Sequence, residues 1–209
     1  MTIVVEDLDS AAARARELVG AGGRLLGITG PPGVGKTWLV EQILARTNGV
    51  PAAHVPMDGF HLADATLDQL GLREVKGAPE TFDVLGYAAA LRRIVAREDP
   101  VVYVPAFERD LEQPVAGAVA VPRDASLVVT EGNYLLLDEP GWREVHALLD
   151  ECWYVDVAAD LRVRRLVARH VAYGKSSAEA AEWVARSDEA NARLVETTKT
   201  RADVVVRLG

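Results

Sequence analysis

Three observations predict an α/β fold, a mostly parallel sheet with helices on both faces. Short apolar runs alternate with helix-period segments along the chain, the order that builds parallel sheets. At one junction stands Gly30-Pro31-Pro32-Gly33-Val34-Gly35-Lys36-Thr37, which fits the phosphate-binding pattern G-x-x-x-x-G-K-[ST]. The run before it, residues 25–29, reads as a buried strand, and the run from Trp38 to Ala45 reads as a helix. The motif therefore has the strand–loop–helix setting it needs.

The chemistry of that loop follows from its composition. Glycines let the backbone fold into a nest of inward N–H groups, and the following helix adds its positive end. Lys36 would reach the β- and γ-phosphates, and the Thr37 hydroxyl would hold Mg²⁺. The competing reading is a Gly-Pro turn that caps a helix, and the matching flanks on both sides argue against it. The expected cofactors are ATP and Mg²⁺.

The whole chain sets the frame. Its 209 residues suit one domain over 1–209, and 49% hydrophobic residues are enough for a proper core. A net charge of −8 argues against broad binding to nucleic acid or to an anionic membrane. An anionic ligand must then be met by local positive charge, so the 19 arginines and 4 lysines matter by position. Cys152 is the single cysteine, which excludes an internal disulfide and a cysteine-rich metal site. The start has no signal-peptide pattern and no apolar run approaches spanning length, so a cytoplasmic protein is expected. A homodimer stays open, with Trp142, Trp153 and Trp183 read as core or interface residues.

In chain order, residues 9–21 read as a helix capped by Asp9 or Ser10 and stopped by Gly22-Gly23. The helix after the phosphate loop should end near Asn48-Gly49. Residues 52–57 read as a strand that delivers Asp58-Gly59-Phe60-His61 to its carboxyl end, the ligand-binding edge of an open parallel sheet. A short helix follows over 62–72, then a loop over 76–83. Leu85, Ala88, Ala89, Arg92 and Val95 lie on a helix closed by Asp99-Pro100. Residues 101–105 and 115–121 read as a β-hairpin around a long charged loop at Phe107-Glu108-Arg109-Asp110. Residues 126–130 form an apolar strand ending at Glu131-Gly132-Asn133-Tyr134; 141–149 are helical, and 152–157 and 202–208 complete the strands.

Four groups of residues carry candidate chemistry. Asp58 is placed to orient an acceptor hydroxyl and take its proton; a local Asp-Gly turn explains its spacing equally well. Glu131 ends the most apolar strand, where a carboxylate holds Mg²⁺ directly or through water; the alternative is a Glu capping the turn at Gly132. Arg162, Arg165 and Arg169 recur at i, i+3, i+7 on a helix that Gly174 stops. Ser176 and Glu179 then have capping-box spacing. Residues 160–178 are thus a candidate lid whose arginines close over phosphates, against a solvated arginine face. His61, Lys76, Phe107, Arg109 and Tyr134 follow strands or lie in loops and could line an acceptor pocket, or be ordinary packing residues. His54, His146 and His170 lack metal-ligand spacing and read as structural.

The phosphate loop, Met57-Asp58-Gly59-Phe60-His61, the run from Lys76-Gly77-Ala78-Pro79-Glu80 to Asp83, Glu131-Gly132-Asn133-Tyr134 and the arginine helix occur in one order. That order resembles the phosphoribulokinase/uridine kinase/bacterial pantothenate kinase family over about residues 24–170. The resemblance implies the P-loop NTPase three-layer fold with a helical lid and a hairpin over the acceptor site. It implies Asp58 as catalytic base, Glu131 by the metal, and the lid arginines on phosphates. Trp38 stands where the family usually has a small Ser or Thr, and is counted with the nucleotide site. The implied activity is transfer of the γ-phosphoryl group of ATP to a small-molecule hydroxyl acceptor: a nucleoside, pantothenate or a sugar, in that order. The alternative is a P-loop switch that hydrolyses nucleotide without an acceptor. The guanine-reading N-K-x-D element of such GTPases is missing from the sequence.

Overall fold

A computed structural model describes residues 2–47 and 49–207. The ends expected at Asn48 and Leu208 lie outside them. The sequence forms β1 (Ile3–Val5), α1 (Leu8–Gly20), β2 (Leu25–Thr29), α2 (Lys36–Ala45) and β3 (Ala52–Pro56). It continues through α3 (Asp64–Leu70), α4 (Val84–Ala96), β4 (Val101–Glu108), β5 (Gln113–Pro122), β6 (Leu127–Gly132) and α5 (Trp142–His146). The rest is β7 (Glu151–Val155), α6 (Ala159–Ala172), α7 (Ser177–Trp183), α8 (Glu189–Glu196) and β8 (Val204–Val206).

Six strands make one parallel sheet in the order β1-β8-β7-β2-β6-β3. Strands β2, β6 and β7 are buried at every residue, so they read in sequence as continuous apolar runs rather than alternating ones. Two cores lie against the sheet. One packs Ala11, Ala15, Leu39 and Ile43 of α1 and α2 on Ile28, Val129 and Trp153. The other packs Tyr87, Leu91 and Ile94 of α4, together with Val102, Val104 and Val121, on Val55, Val128 and Cys152. The three-layer fold expected from the sequence is what forms.

Register then sets the site. Glu131 on β6 is level with Ile28 of β2 on one side and Pro56 of β3 on the other. Gly30 and Asp58 each follow two residues later, so the phosphate loop, Glu131 and Asp58 emerge at one height on the carboxyl edge. Strands β4 and β5 form the separate antiparallel hairpin, bulged between Val104 and Ala106. Proline at 105 cannot donate to a ladder, which suits it to that irregularity. The hairpin backs onto Gly59, where an added Cβ would lie 2.2 Å from the Pro105 carbonyl oxygen. The glycine after Asp58 is therefore required by the close passage of β4.

Several boundaries differ from the sequence reading. Strand β1 has no counterpart there, since three residues give no pattern; it is defined by pairing with β8. Asp7, not Asp9 or Ser10, caps α1 by accepting from the Ser10 N–H at 2.7 Å. Helix α4 buries Tyr87, Ala88, Leu91 and Ile94, whereas Leu85 and Val95 are exposed. Phe107 and Glu108 belong to strand β4, so the hairpin loop is only residues 109–112.

Candidate active site

One cavity of about 700 Å³ opens at this edge. Its walls come from the phosphate loop, the turn after β3, the hairpin tip, the loop after α3, Glu131 and Asn133 of the β6 end, and the α6–α8 segment. At the phosphate loop, Gly33 adopts φ +83°, and an added Cβ would lie 2.8 Å from the Arg162 carbonyl oxygen. Only glycine lets α6 lie this close to the loop. Gly35 begins α2 without a side-chain cap, which leaves its first N–H groups for a ligand.

Lys36 folds back over the loop. Its Nζ donates to the carbonyls of Gly30 at 2.9 Å and Pro31 at 3.3 Å, and to Asn133 Oδ1 at 2.7 Å. Burial pulls its ammonium below the usual lysine range, opposed by the carboxylates of Glu131 and Asp58. The Thr37 hydroxyl donates to Glu131 Oε1 at 3.1 Å. Burial, and next the charge of Asp58, push the Glu131 carboxyl up to about 7. A divalent cation would reverse that shift by favouring the carboxylate. The hydroxyl and carboxylate oxygens of Thr37 and Glu131 are the hard donors Mg²⁺ takes, so the residues present fit the ion. No group of three or more His, Cys, Asp or Glu capable of holding a metal occurs among the described residues.

Asp58 lies in a 3-10 turn over Met57–Phe60 at the end of β3. Its backbone carbonyl lies 2.8 Å from His61 Nδ1, and its carboxylate lies 3.9 Å from Arg109 of the hairpin tip. His61 stacks between Phe82 and Phe107, with centroids 4.0 and 5.1 Å away. Lys76 donates to Asp64 at 2.7 Å and to the Glu112 carbonyl at 2.8 Å, tying the loop after α3 to the hairpin tip. Arg73 shares Asp64 at 2.7 Å. Asp58, His61, Lys76, Phe107 and Arg109 thus border one space.

Beyond the phosphate loop, three expected site residues stand elsewhere. Tyr134 is 1% exposed, packs on Phe82 and Trp142, and donates to the Gly77 carbonyl at 2.5 Å. It supports the loop at Gly77 from behind rather than lining the cavity. Trp38 is 49% exposed on α2 and outside the cavity wall. Arg162 does not share the outlook of the other lid arginines, because it is 1% exposed and pairs with Glu189 at 2.8 Å and Glu196 at 3.7 Å. It also donates to the Pro32 carbonyl at 3.3 Å. Arg162 is a clamp between the phosphate loop, α6 and α8; Arg165 and Arg169 are the two that border the cavity.

The sequence reading missed part of the wall. Asn133, which holds Lys36, stands two residues past Glu131, within the same strand-end run. His170, Trp183, Ser187, Asp188 and Asn191 also line the cavity. His170 is on α6, and the others come from a helical segment running from the Ser176 capping box through α7 and a π-turn, Val184–Asp188, into α8. Their spacing carries no motif; only the fold of this segment over the site reveals them.

Comparison with known proteins agrees with this geometry. The model of the phosphoribulokinase/uridine kinase family matches residues 25–209. The chain belongs to the phosphoribulokinase/uridine kinase family. The uncharacterized protein YggC of Escherichia coli K12 is 36% identical over 182 residues, 85% of this chain and 75% of that protein. A candidate uridine kinase of Schizosaccharomyces pombe, C227.14, is 32% identical over 97% of this chain and 91% of its own length. Among solved structures, a candidate fructose transport system kinase from Silicibacter sp. TM1040 superposes with a TM-score of 0.86. It is 34% identical and covers 95% of this chain and 98% of its own. Membership of this family makes the chain a kinase-type P-loop protein that binds ATP. No helix among the described residues is long and apolar enough to cross a membrane.

Proposed function

We propose that this protein transfers the γ-phosphoryl group of ATP to a hydroxyl of a small metabolite. The observation that carries the reading is the convergence of Lys36, Thr37, Glu131 and Asp58 with Arg165 and Arg169 on one cavity. A nucleotide-hydrolysing switch leaves unexplained the part of that cavity walled by Asp58, His61, Phe107 and Arg109.

In this mechanism Lys36 leaves the loop carbonyls for the β- and γ-phosphates, and Asn133 keeps its ammonium aimed. Mg²⁺, held at Thr37 and Glu131, would supply charge neutralisation on the phosphate oxygens. Asp58 accepts the proton of the acceptor hydroxyl as its oxygen bonds to phosphorus and the β–γ bridge breaks, leaving ADP. Arg165 and Arg169 spread the charge on the transferring group. On sequence grounds the acceptors rank as nucleoside, pantothenate, then sugar. The names of the fission-yeast and Silicibacter relatives support the first and the last.

The test is ADP release from the purified protein with and without acceptors, repeated with Asp58→Asn. Expected is acceptor-dependent release that falls about 100-fold or more in kcat in the variant, with ATP affinity within a few-fold of wild type. Release that needs no acceptor and survives Asp58→Asn would favour the switch.

A further inference from the structure

The wall opposite the phosphate loop contains a carboxylate that the mechanism does not use. Asp188 is 8% exposed and ends the π-turn Val184–Asp188. Its Oδ2 lies 3.0 Å from Nε2 of His170 on α6, and both residues border the cavity. No hydrogen bond to Oδ1 occurs among the described residues, so this oxygen is free for a ligand. The π-turn itself explains the placement. One extra residue in a helix rotates the downstream side chains by about 100°, and such turns concentrate at functional sites. Here the turn keeps Val184 and Ala192 buried while it brings Asp188 to the cavity.

The cations on the acceptor side are committed differently. Arg73 and Lys76 both bind Asp64, Arg109 faces Asp58, and Lys175 lies 4.9 Å over the Trp183 ring. An acidic group of an acceptor placed at Asp188 would meet a like charge there. A hydroxyl donor meets a free, oriented carboxylate oxygen instead.

Resting on the kinase reading, we infer that Asp188, oriented by His170, is a specificity-determining residue. It accepts a hydrogen bond from a neutral, hydroxyl-rich acceptor and disfavours acids. An acceptor lacking that donor would displace water from this oxygen without replacing its hydrogen bond, which is how polar pockets discriminate strongly.

The experiment measures ADP release at saturating MgATP with D-fructose, D-ribose, glycerol and uridine as neutral acceptors, and pantothenate and D-glycerate as acids. Wild type, Asp188→Ala, Asp188→Asn and His170→Gln are compared, each checked by thermal melting. Expected is turnover with a neutral acceptor, a KM for it raised about tenfold or more in Asp188→Ala, and a smaller rise in His170→Gln. The KM for ATP should stay within about twofold. If Asp188→Ala does not fold, the isosteric Asp188→Asn carries the comparison. An acid as preferred acceptor, or an acceptor KM unmoved by either Asp188 variant, overturns the assignment alone. Intact ATP binding with no acceptor-stimulated release from the whole panel overturns the kinase reading and this assignment with it.

Discussion

Lys36 makes three hydrogen bonds to the loop and to Asn133, so its ammonium is pre-aimed at the space where phosphates belong. Lys36→Ala removes the charge without touching either core. Its turnover should fall about 100- to 1000-fold, with a melting temperature close to wild type. Near-normal phosphorylation by the folded variant would remove Lys36 from the mechanism. The contrast with Tyr134 is instructive. Both follow turn-forming residues, yet Tyr134 spends its hydroxyl on the Gly77 carbonyl and its ring on Phe82 and Trp142. Replacing it with Phe should loosen the loop at Gly77 and cost about 1 kcal/mol of stability, readable in denaturant unfolding, with little change in ATP affinity.

Helix α6 divides its arginines between two tasks. Arg165 and Arg169 border the cavity, so changing both to Gln should lower kcat more than ATP affinity, because their charge matters most as the transferring group forms. Arg162 is buried between Glu189, Glu196 and the Pro32 carbonyl. Arg162→Ala should destabilise the fold by about 3 kcal/mol, because a buried ion pair loses one partner. Chemical unfolding separates the two cases: the double variant should keep its midpoint and Arg162→Ala should not. Equal midpoints would return Arg162 to the phosphate-binding set. The i, i+3, i+7 spacing could not make this division. An α6 seated on the loop at Gly33 turns residue 162 inward, and only the partner element determines that.

Across the molecule, the buried titrating pair Glu131 and His54 ties stability to pH. Glu131 is raised from 4.5 to about 7 by burial and Asp58, so it contributes stability fully below pH 4.5 and loses it as pH rises through about 7. His54, whose Nε2 lies 3.9 Å from Glu131, is lowered from 6.5 to about 4 by burial. Its contribution is present above pH 6.5 and is lost as pH falls through about 4. The two oppose each other between pH 4.5 and 6.5, and above that window only Glu131 still titrates. Glu131→Gln in the nucleotide-free protein should therefore melt above wild type at alkaline pH, with the gap closing toward pH 4.5. Thermal melts across that range check it; a gap independent of pH would mean that Glu131 is not held protonated by its surroundings.

The sequence by itself determined the phosphate loop, the parallel three-layer sheet, and the carboxylates at 58 and 131. Each is a local matter: glycines that permit a nest, apolar runs too continuous for an exposed strand, and an acidic residue where such a run ends. The Ser176–Glu179 capping box is legible for the same reason, because both partners lie within one turn. Other features depend on neighbours distant in the chain. Strand β1 exists by pairing with β8, the outlook of Arg162 depends on α8, and Gly59 is required by a hairpin strand more than forty residues away. The cavity wall at Asp188 and Asn191 was decided in the same way. A π-turn shifts the helical phase that sequence periodicity assumes, so those side chains reach the cavity only once α6, α7 and α8 have packed.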